Sequence, residues 1–341
     1  MTKVHFMGIG GSGASSVARI AKANGFIVSG CDLEESSITY RLRKDGIPVE
    51  IGHNEDHLKE VDLLVHTPAV FYQSENHPEF TKAKDPLIWE EFMAKYLHKG
   101  KTLIAVAGTH GKGTTTALIC KCLEDANFDP ICEVGANLLD WDNKNYRIGN
   151  SKYFVFEADE FREKFLLYKP EIAVITSIEM DHPDYFKDFD AVLRAFEKFA
   201  KKAKVVIINS EDFGCQKLIK LLNSVKTIKL IKYSKLKKTQ AKLKSPGDHI
   251  RADAAAAWAL AKYLKINDKQ IKSSLEKFGG LERRFELKGE VEGAKIYDDY
   301  AHHPTAVGAN ISGIREICPG KKVWAIFQPH MHSRLGVLFD D

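Results

Sequence analysis

With 341 residues and 44% hydrophobic content, the chain is long and apolar enough to fold as a globular protein of two or three domains. Lysines and arginines exceed aspartates and glutamates by only four, so composition makes no strong case for a nucleic-acid partner. No apolar run reaches the length of a membrane span, no signal peptide is evident, and the six cysteines show no metal-type pairing; a cytoplasmic protein with reduced, partly buried thiols and no membrane partner is expected.

Val4 to Met7 read as a short strand, followed by Gly8-Ile9-Gly10-Gly11-Ser12-Gly13 in G-x-G-x-x-G spacing and a helix over Ala14 to Ala23. A second strand, Phe26 to Gly30, leads to Asp32, about twenty positions after the glycines, where a Rossmann unit holds a ribose hydroxyl. That spacing alone suggests a nicotinamide enzyme. Arg41 to Ile51 and Val61 to His66 supply a further helix and strand, and this α/β domain should end within Glu90 to Lys101.

Leu103 to Ala107 read as a buried strand and Thr115 to Cys122 as a helix, so Gly108 to Thr114 should form the turn between them. A triphosphate fits there. Gly108 and Gly111 let backbone N–H groups approach phosphate oxygens, the helix N-terminus adds partial positive charge, and Lys112 reaches the β and γ phosphates. In the usual phosphate loop a hydroxyl follows the lysine directly; here Gly113 intervenes before Thr114.

Downstream, the strand Tyr153 to Phe156 delivers Glu157, Asp159 and Glu160, and the strand Ile172 to Thr176 is followed by Glu179, Asp181 and His182, all suitable for a magnesium and phosphate site. Lysines recurring from Lys217 to Lys244 read as the solvated face of ordinary elements, and Ala252 to Leu264 as a core helix outside any site. Arg283 and Arg284, after Gly279-Gly280, are placed to clamp a phosphoryl group or to sit as surface charge. Strands over Ala294 to Tyr297 and Val323 to Phe327, with a helix over Thr305 to Ile317, bury too little to stand alone as a parallel-sheet domain. This last segment is therefore expected to be truncated, to dock on the rest, or to be completed by a partner.

Six segments in order resemble the Mur ligases of peptidoglycan synthesis: Gly8 to Gly13, Gly108-Thr109-His110-Gly111-Lys112, Glu157-Ala158-Asp159-Glu160, Ile178-Glu179-Met180-Asp181-His182, Asp298-Asp299-Tyr300-Ala301-His302-His303-Pro304 and Phe327-Gln328-Pro329-His330. The resemblance implies an α/β fold of three domains. These are a Rossmann-like N-terminal domain (1–98) for the UDP sugar, a P-loop ATPase-like central domain (99–287), and a truncated Rossmann-like C-terminal domain (288–341) for the amino acid. It would place Gly8, Ile9, Gly10, Gly11, Ser12, Gly13 and Asp32 at the UDP sugar. Gly108, Thr109, His110, Gly111, Lys112, Gly113, Thr114, Thr115 and His249 would bind ATP, and Thr114, Glu157 and His182 would hold Mg2+. Asp299 with Arg283 or Arg284 would close over the nucleotide, and His330 and Arg334 would bind the amino acid.

The implied chemistry is carboxylate activation. ATP phosphorylates the lactyl carboxylate of UDP-N-acetylmuramate, the amine of L-alanine attacks the acyl phosphate, and the tetrahedral intermediate expels phosphate to leave an amide. Departures from the family pattern are Gly113, Ile250 and Asp253 in place of two asparagines in Gly247 to Ala254, and Met331 at a usual arginine. Alternatives are a ligase that recycles a tripeptide onto the same sugar nucleotide, suggested by Thr305-Ala306, a catalytically impaired homologue that keeps the UDP-sugar site, and a nicotinamide oxidoreductase.

Overall fold

A computed structural model of the chain describes residues 1–72, 76–238, 240–329 and 336. Contacts divide it into two units: residues 1–101 with 131–135 and 145–149, and the remainder.

The first unit alternates strands and helices: β1 (Lys3–Met7), α1 (Ser12–Ala23), β2 (Ile27–Asp32), α2 (Ser37–Lys44), β3 (Val49–Ile51), β4 (Leu63–His66), α3 (Pro78–Lys82), β5 (Leu87–Ile88) and α4 (Trp89–Phe92). Its sheet has the order β3-β2-β1-β4-β5, with every pairing parallel. A parallel sheet covered on both faces needs apolar residues on both sides of its strands, and Val4, Phe6 and Met7 of central β1 are all buried. The small side chains Ala14, Ala18 and Ala21 let α1 lie close to the sheet. Ser36 starts α2 with a reciprocal cap, its hydroxyl accepting from the Thr39 N–H at 3.1 Å while the Thr39 hydroxyl accepts from the Ser36 N–H at 2.8 Å.

The second unit contains β6 (Thr102–Ala107), α5 (Lys112–Asp125), β7 (Ile131–Leu138), β8 (Lys144–Arg147), β9 (Tyr153–Glu157), β10 (Ile172–Ile175), α6 (Phe189–Ala200), β11 (Val205–Asn209), α7 (Phe213–Leu222), β12 (Lys229–Tyr233), α8 (Asp248–Tyr263) and α9 (Asp268–Lys277), with parts of β7 and β8 counted in the first. In the sheet order β12-β11-β10-β6-β9-β7-β8, strands β12 to β9 pair in parallel. Because β6 lies between β10 and β9, its C-terminal end emerges between Glu157 and Thr176; the Ala158 N–H bonds the Val106 carbonyl at 2.8 Å and the Thr176 N–H bonds the Ala107 carbonyl at 3.0 Å. Strand order alone thus gathers three sequence-distant loops at one edge.

Three expectations change. Helix α5 starts at Lys112, not Thr115, so the turn is Gly108 to Gly111 and Lys112 begins the helix itself. The segment Val323 to Phe327 is not a strand: no pairing for it exists among the described residues, and Trp324 and Ile326 are 78% and 100% exposed. A strand needs a neighbour's N–H and C=O groups, and β14 (Ala294–Asp298) pairs instead with β13 (Glu286–Val291) in an antiparallel hairpin that the sequence reading lacked. Its turn, Glu292-Gly293, has φ of 50° and 81°, as a two-residue hairpin requires.

After the hairpin, α10 (Pro304–Ile317) is bound to α8 by Arg251, whose two terminal nitrogens donate to Glu316 at 3.1 and 3.0 Å. Of the three possibilities left open for this segment, the described part docks on the rest of its unit. Among the described residues, no helix is long and apolar enough to cross a membrane.

Candidate active site at the phosphate loop

Gly111 caps the start of α5 at φ 78°, a conformation that favours glycine, and a Cβ there would come within 2.3 Å of Asp253 Oδ1. The loop is tied down from below: the Thr109 N–H donates to the Ser177 carbonyl at 3.0 Å and the His110 N–H to the Ser177 hydroxyl at 2.9 Å. The Thr176 hydroxyl donates to the His110 carbonyl at 2.5 Å. Gly113 has a local reason too, since a Cβ there would meet Glu157 Oε1 at 3.1 Å. The glycine admits the carboxylate beside the first turn of α5.

Lys112 folds back over the loop, donating to the Gly108 carbonyl at 2.6 Å and to Glu160 at 2.8 and 3.1 Å. Burial pulls its pKa down, but Glu160, Asp159 and Glu157 outweigh it and hold the ammonium above its ordinary range. His182, at φ 55°, is anchored by its N–H to Asp181 at 2.7 Å and by its ring against Phe161 at 4.7 Å, and its Nε2 lies 4.0 Å from Glu160. Asp159, Glu160 and His182 offer ligand atoms within 4.8 Å of one another, whereas Glu157 stands apart from that trio beside Gly113.

A second knot faces the loop. Glu179 Oε2 accepts from the Thr305 hydroxyl at 2.8 Å, lies 3.3 Å from His110 Nε2 and 4.0 Å from His303 Nδ1, and the His110 and His303 rings are 4.7 Å apart. Burial pushes Glu179 up, yet these partners outweigh it and keep the carboxyl below its usual range. Glu179 was expected at a magnesium and phosphate site, and the structure gives it His110, His303 and Thr305 as partners; Thr305 was not among the expected site residues. Glu179 and His303 lie inside the motifs that supplied His182 and Asp299.

These groups line a cavity of about 420 Å3 that also takes in Thr114, His249, Arg284 and Asp299. Asp299 receives the Phe285 and Ala301 N–H groups, each at 2.7 Å, and so sets the chain before and after the hairpin. Of the paired arginines, Arg284 lines the cavity, while Arg283 turns to Asp298 at 3.5 Å. Helix α8, expected as core over Ala252 to Leu264, begins earlier, at Asp248, so its first turns reach the cavity: His249, expected at ATP, lines it, and Asp253, expected in the core, accepts from the Thr115 hydroxyl at 3.1 Å. Fully buried, the Asp253 carboxyl is pushed up to about 8, with Thr115 and Arg284 only partly opposing this.

In the first unit, the Gly8 and Ile9 N–H groups bond the Cys31 carbonyl at 2.9 and 3.1 Å, and Gly11 to Gly13 open α1. Asp32 braces this loop, accepting from the Gly10 N–H at 2.7 Å and the Leu33 N–H at 2.8 Å. His330, Met331 and Arg334 lie outside the described residues.

Fold and site define an α/β protein with a glycine turn, of the kind that receives phosphate, leading into a helix at the carboxyl ends of parallel strands. Family models match the chain along its length: Mur ligase family, catalytic domain, over residues 3–99; Mur ligase middle domain over 106–279; and Mur ligase, glutamate ligase domain, over 283–340. The chain belongs to the Mur ligase family. It is 39% identical to the UDP-N-acetylmuramate–L-alanine ligase of Clostridium novyi, with 99% of this chain and 79% of that protein covered. It is 37% identical to the enzyme of the same name from Caldicellulosiruptor bescii, covering 100% and 80%. Among solved structures, the UDP-N-acetylmuramate-alanine ligase of Thermotoga maritima superposes with a TM-score of 0.81 at 30% identity, over 97% of this chain and 81% of that one.

Proposed function

We propose that this protein is an ATP-dependent ligase that joins L-alanine to the lactyl carboxylate of UDP-N-acetylmuramate in peptidoglycan precursor synthesis, in the cytoplasm. The observation that carries the proposal is identity of 37–39% to ligases of that name over 99–100% of the chain. The loop geometry supports the chemistry.

In this proposal the three functional segments are 1–98, 99–287 and 288–341, the first taking the UDP sugar through Gly8 to Gly13 with Asp32. Loop amides of Gly108 to Thr115 and the Lys112 ammonium receive the ATP phosphates, and His249 borders the nucleotide. Glu157, the Thr114 hydroxyl and, apart from them, Asp159 and His182 line the same cavity and supply the oxygen and imidazole donors that would hold magnesium. Bound there, the ion would neutralise charge on the transferred phosphoryl group. Arg284 and Asp299 border the same space, which suits them to close on the nucleotide, with Arg283 in support. His330 and Arg334 are assigned to the amino acid.

The lactyl carboxylate takes the γ-phosphoryl group and releases ADP. The amine then attacks the acyl carbon, loses a proton, and phosphate departs. Holding both reactants in line accounts for much of the acceleration such a site can supply.

The test is to incubate the chain with ATP, Mg2+, UDP-N-acetylmuramate and L-alanine, following phosphate release and product mass. Release that requires both sugar nucleotide and alanine is expected. Product formed with a tripeptide and not with alanine would replace the amine assignment; nucleotide hydrolysis indifferent to both co-substrates would overturn the ligase.

A further inference from the structure

The first unit holds a cluster of side chains that the phosphate-loop chemistry does not use. Cys31 on β2 and Glu79 on α3 are fully buried, His5 on β1 is 2% exposed, and the His53 and His57 side chains are 9% and 14% exposed. Four groups converge on a single Glu79 oxygen. Oε1 lies 3.1 Å from His53 Nδ1, 3.3 Å from His57 Nδ1, 3.1 Å from the Asn54 N–H and 3.6 Å from Cys31 Sγ.

A carboxylate held only by hydrogen bonds has two oxygens to share among its donors. Here Oε2 is buried with no hydrogen-bond partner among the described residues, and His5 Nε2 in the same cluster has none either. Such orphaned groups are costly unless something else satisfies them.

Most of these spacings are those of a coordination shell. With Cys31 Sγ to His53 Nδ1 at 3.5 Å, four of the six separations among Cys31 Sγ, His53 Nδ1, His57 Nδ1 and Glu79 Oε1 fall between 3.1 and 3.6 Å. Tetrahedral zinc, with bonds of about 2.0–2.2 Å to nitrogen and oxygen and about 2.3 Å to sulfur, sets its ligand atoms roughly 3.3–3.6 Å apart. Cys31, His53 and Glu79 form one trio of ligand atoms within 4.8 Å, and His5, Cys31 and His57 form a second that shares the cysteine.

We propose that Cys31, His53 and Glu79 form a structural binding site for a zinc-class divalent ion, with His57, 3.3 Å from the same Glu79 oxygen, completing it as the fourth ligand on binding. His5 stacks on His57 with ring centroids 5.3 Å apart and is held by Ser29 at 2.9 Å, so it fixes that ring while its Nε2 stands by as a further donor. A thiolate, two imidazoles and a carboxylate select zinc and its neighbours over magnesium or calcium. On binding, the Cys31 S–H bond breaks, its proton leaves to solvent, and the sulfur electron pair forms the metal bond. The ion would join β2, the 53–57 loop and α3, and because the Cys31 carbonyl holds Gly8 and Ile9, it would also stiffen the first glycine loop.

The test uses the full chain, stripped with a chelator and dialysed against Zn2+ in excess Mg2+, with metal counted by mass spectrometry. One zinc per chain is expected, and Co2+ in its place should give the visible bands of a tetrahedral site plus a thiolate-to-cobalt charge-transfer band. Cys31→Ser should abolish the charge-transfer band, and His57→Gln, at the more open edge, should weaken zinc by about tenfold or more. Metal-free circular dichroism matching the parent establishes that each variant is folded. Failure to retain zinc, or zinc retained without a thiolate band and unchanged in both folded variants, would overturn the proposal.

Discussion

Where the family resemblance implies an asparagine this chain has Asp253, and its buried surroundings let it stand in for one. A carboxyl titrating at about 8 is mostly protonated at neutral pH, so it presents one C=O and one donor much as an amide does. An unfolded aspartate ionises near 3.8, so folding binds a proton between that value and about 8, and stability should fall as pH rises through the window. Asp253→Asn should flatten this part of the stability profile in denaturant melts. Above the upper pKa a carboxylate would face the bound phosphates; ATP affinity should drop on the order of tenfold by about pH 9 in the parent and not in Asp253→Asn, measured by titration calorimetry.

Lys112 and Glu160 depend on each other. Lys112→Ala leaves a buried carboxylate without its cation and should cost about 3 kcal/mol of stability as well as at least about a hundredfold in phosphate release. Adding Glu160→Gln should recover most of the stability and none of the activity, which separates the structural share from the catalytic one.

At the scale of elements, the unit that matters is β6, its glycine turn and α5. Gly108 has φ 150°, and a Cβ there would lie 1.9 Å from the Thr176 hydroxyl, while Gly111 faces Asp253. Gly111→Ala should lower stability by about 1–3 kcal/mol and remove ATP binding, whereas Gly289→Ala in β13, with nothing within 4 Å, should leave both unchanged. Helix α10 offers a different test. The Arg251–Glu316 fork is partly sheltered, at 12% and 27% side-chain exposure, and a double-mutant cycle to alanine should return about 1 kcal/mol of coupling. An additive cycle would mean that α10 is held by packing alone.

For the whole molecule, ligand linkage tests which nucleotides the two glycine loops serve. ATP with Mg2+ at a hundred times its Kd should stabilise the chain by about 2.7 kcal/mol, UDP-N-acetylmuramate should do likewise, and NAD should produce no shift in melting temperature. A NAD-dependent shift would revive the oxidoreductase suggested by Gly8 to Gly13 with Asp32.

Much of this was legible in one dimension. Both glycine loops, the strands that end in Glu157 and Thr176, and the position of Lys112 depend on contiguous residues, because hydrophobic runs, glycines and the helix that follows are local features. What only the tertiary structure decided depends on pairing between distant segments. The neighbour of β14 is set by a hairpin turn rather than by apolarity, so Val323 to Phe327 read as a strand and is not one. Asp253 joins the phosphate loop from 138 residues away, and Cys31, His53, His57 and Glu79 meet only because β2, a loop and α3 converge. Burial then gives these groups their chemistry: desolvation and proximity, which set a pKa or a metal preference, are properties of the packed chain and not of its order.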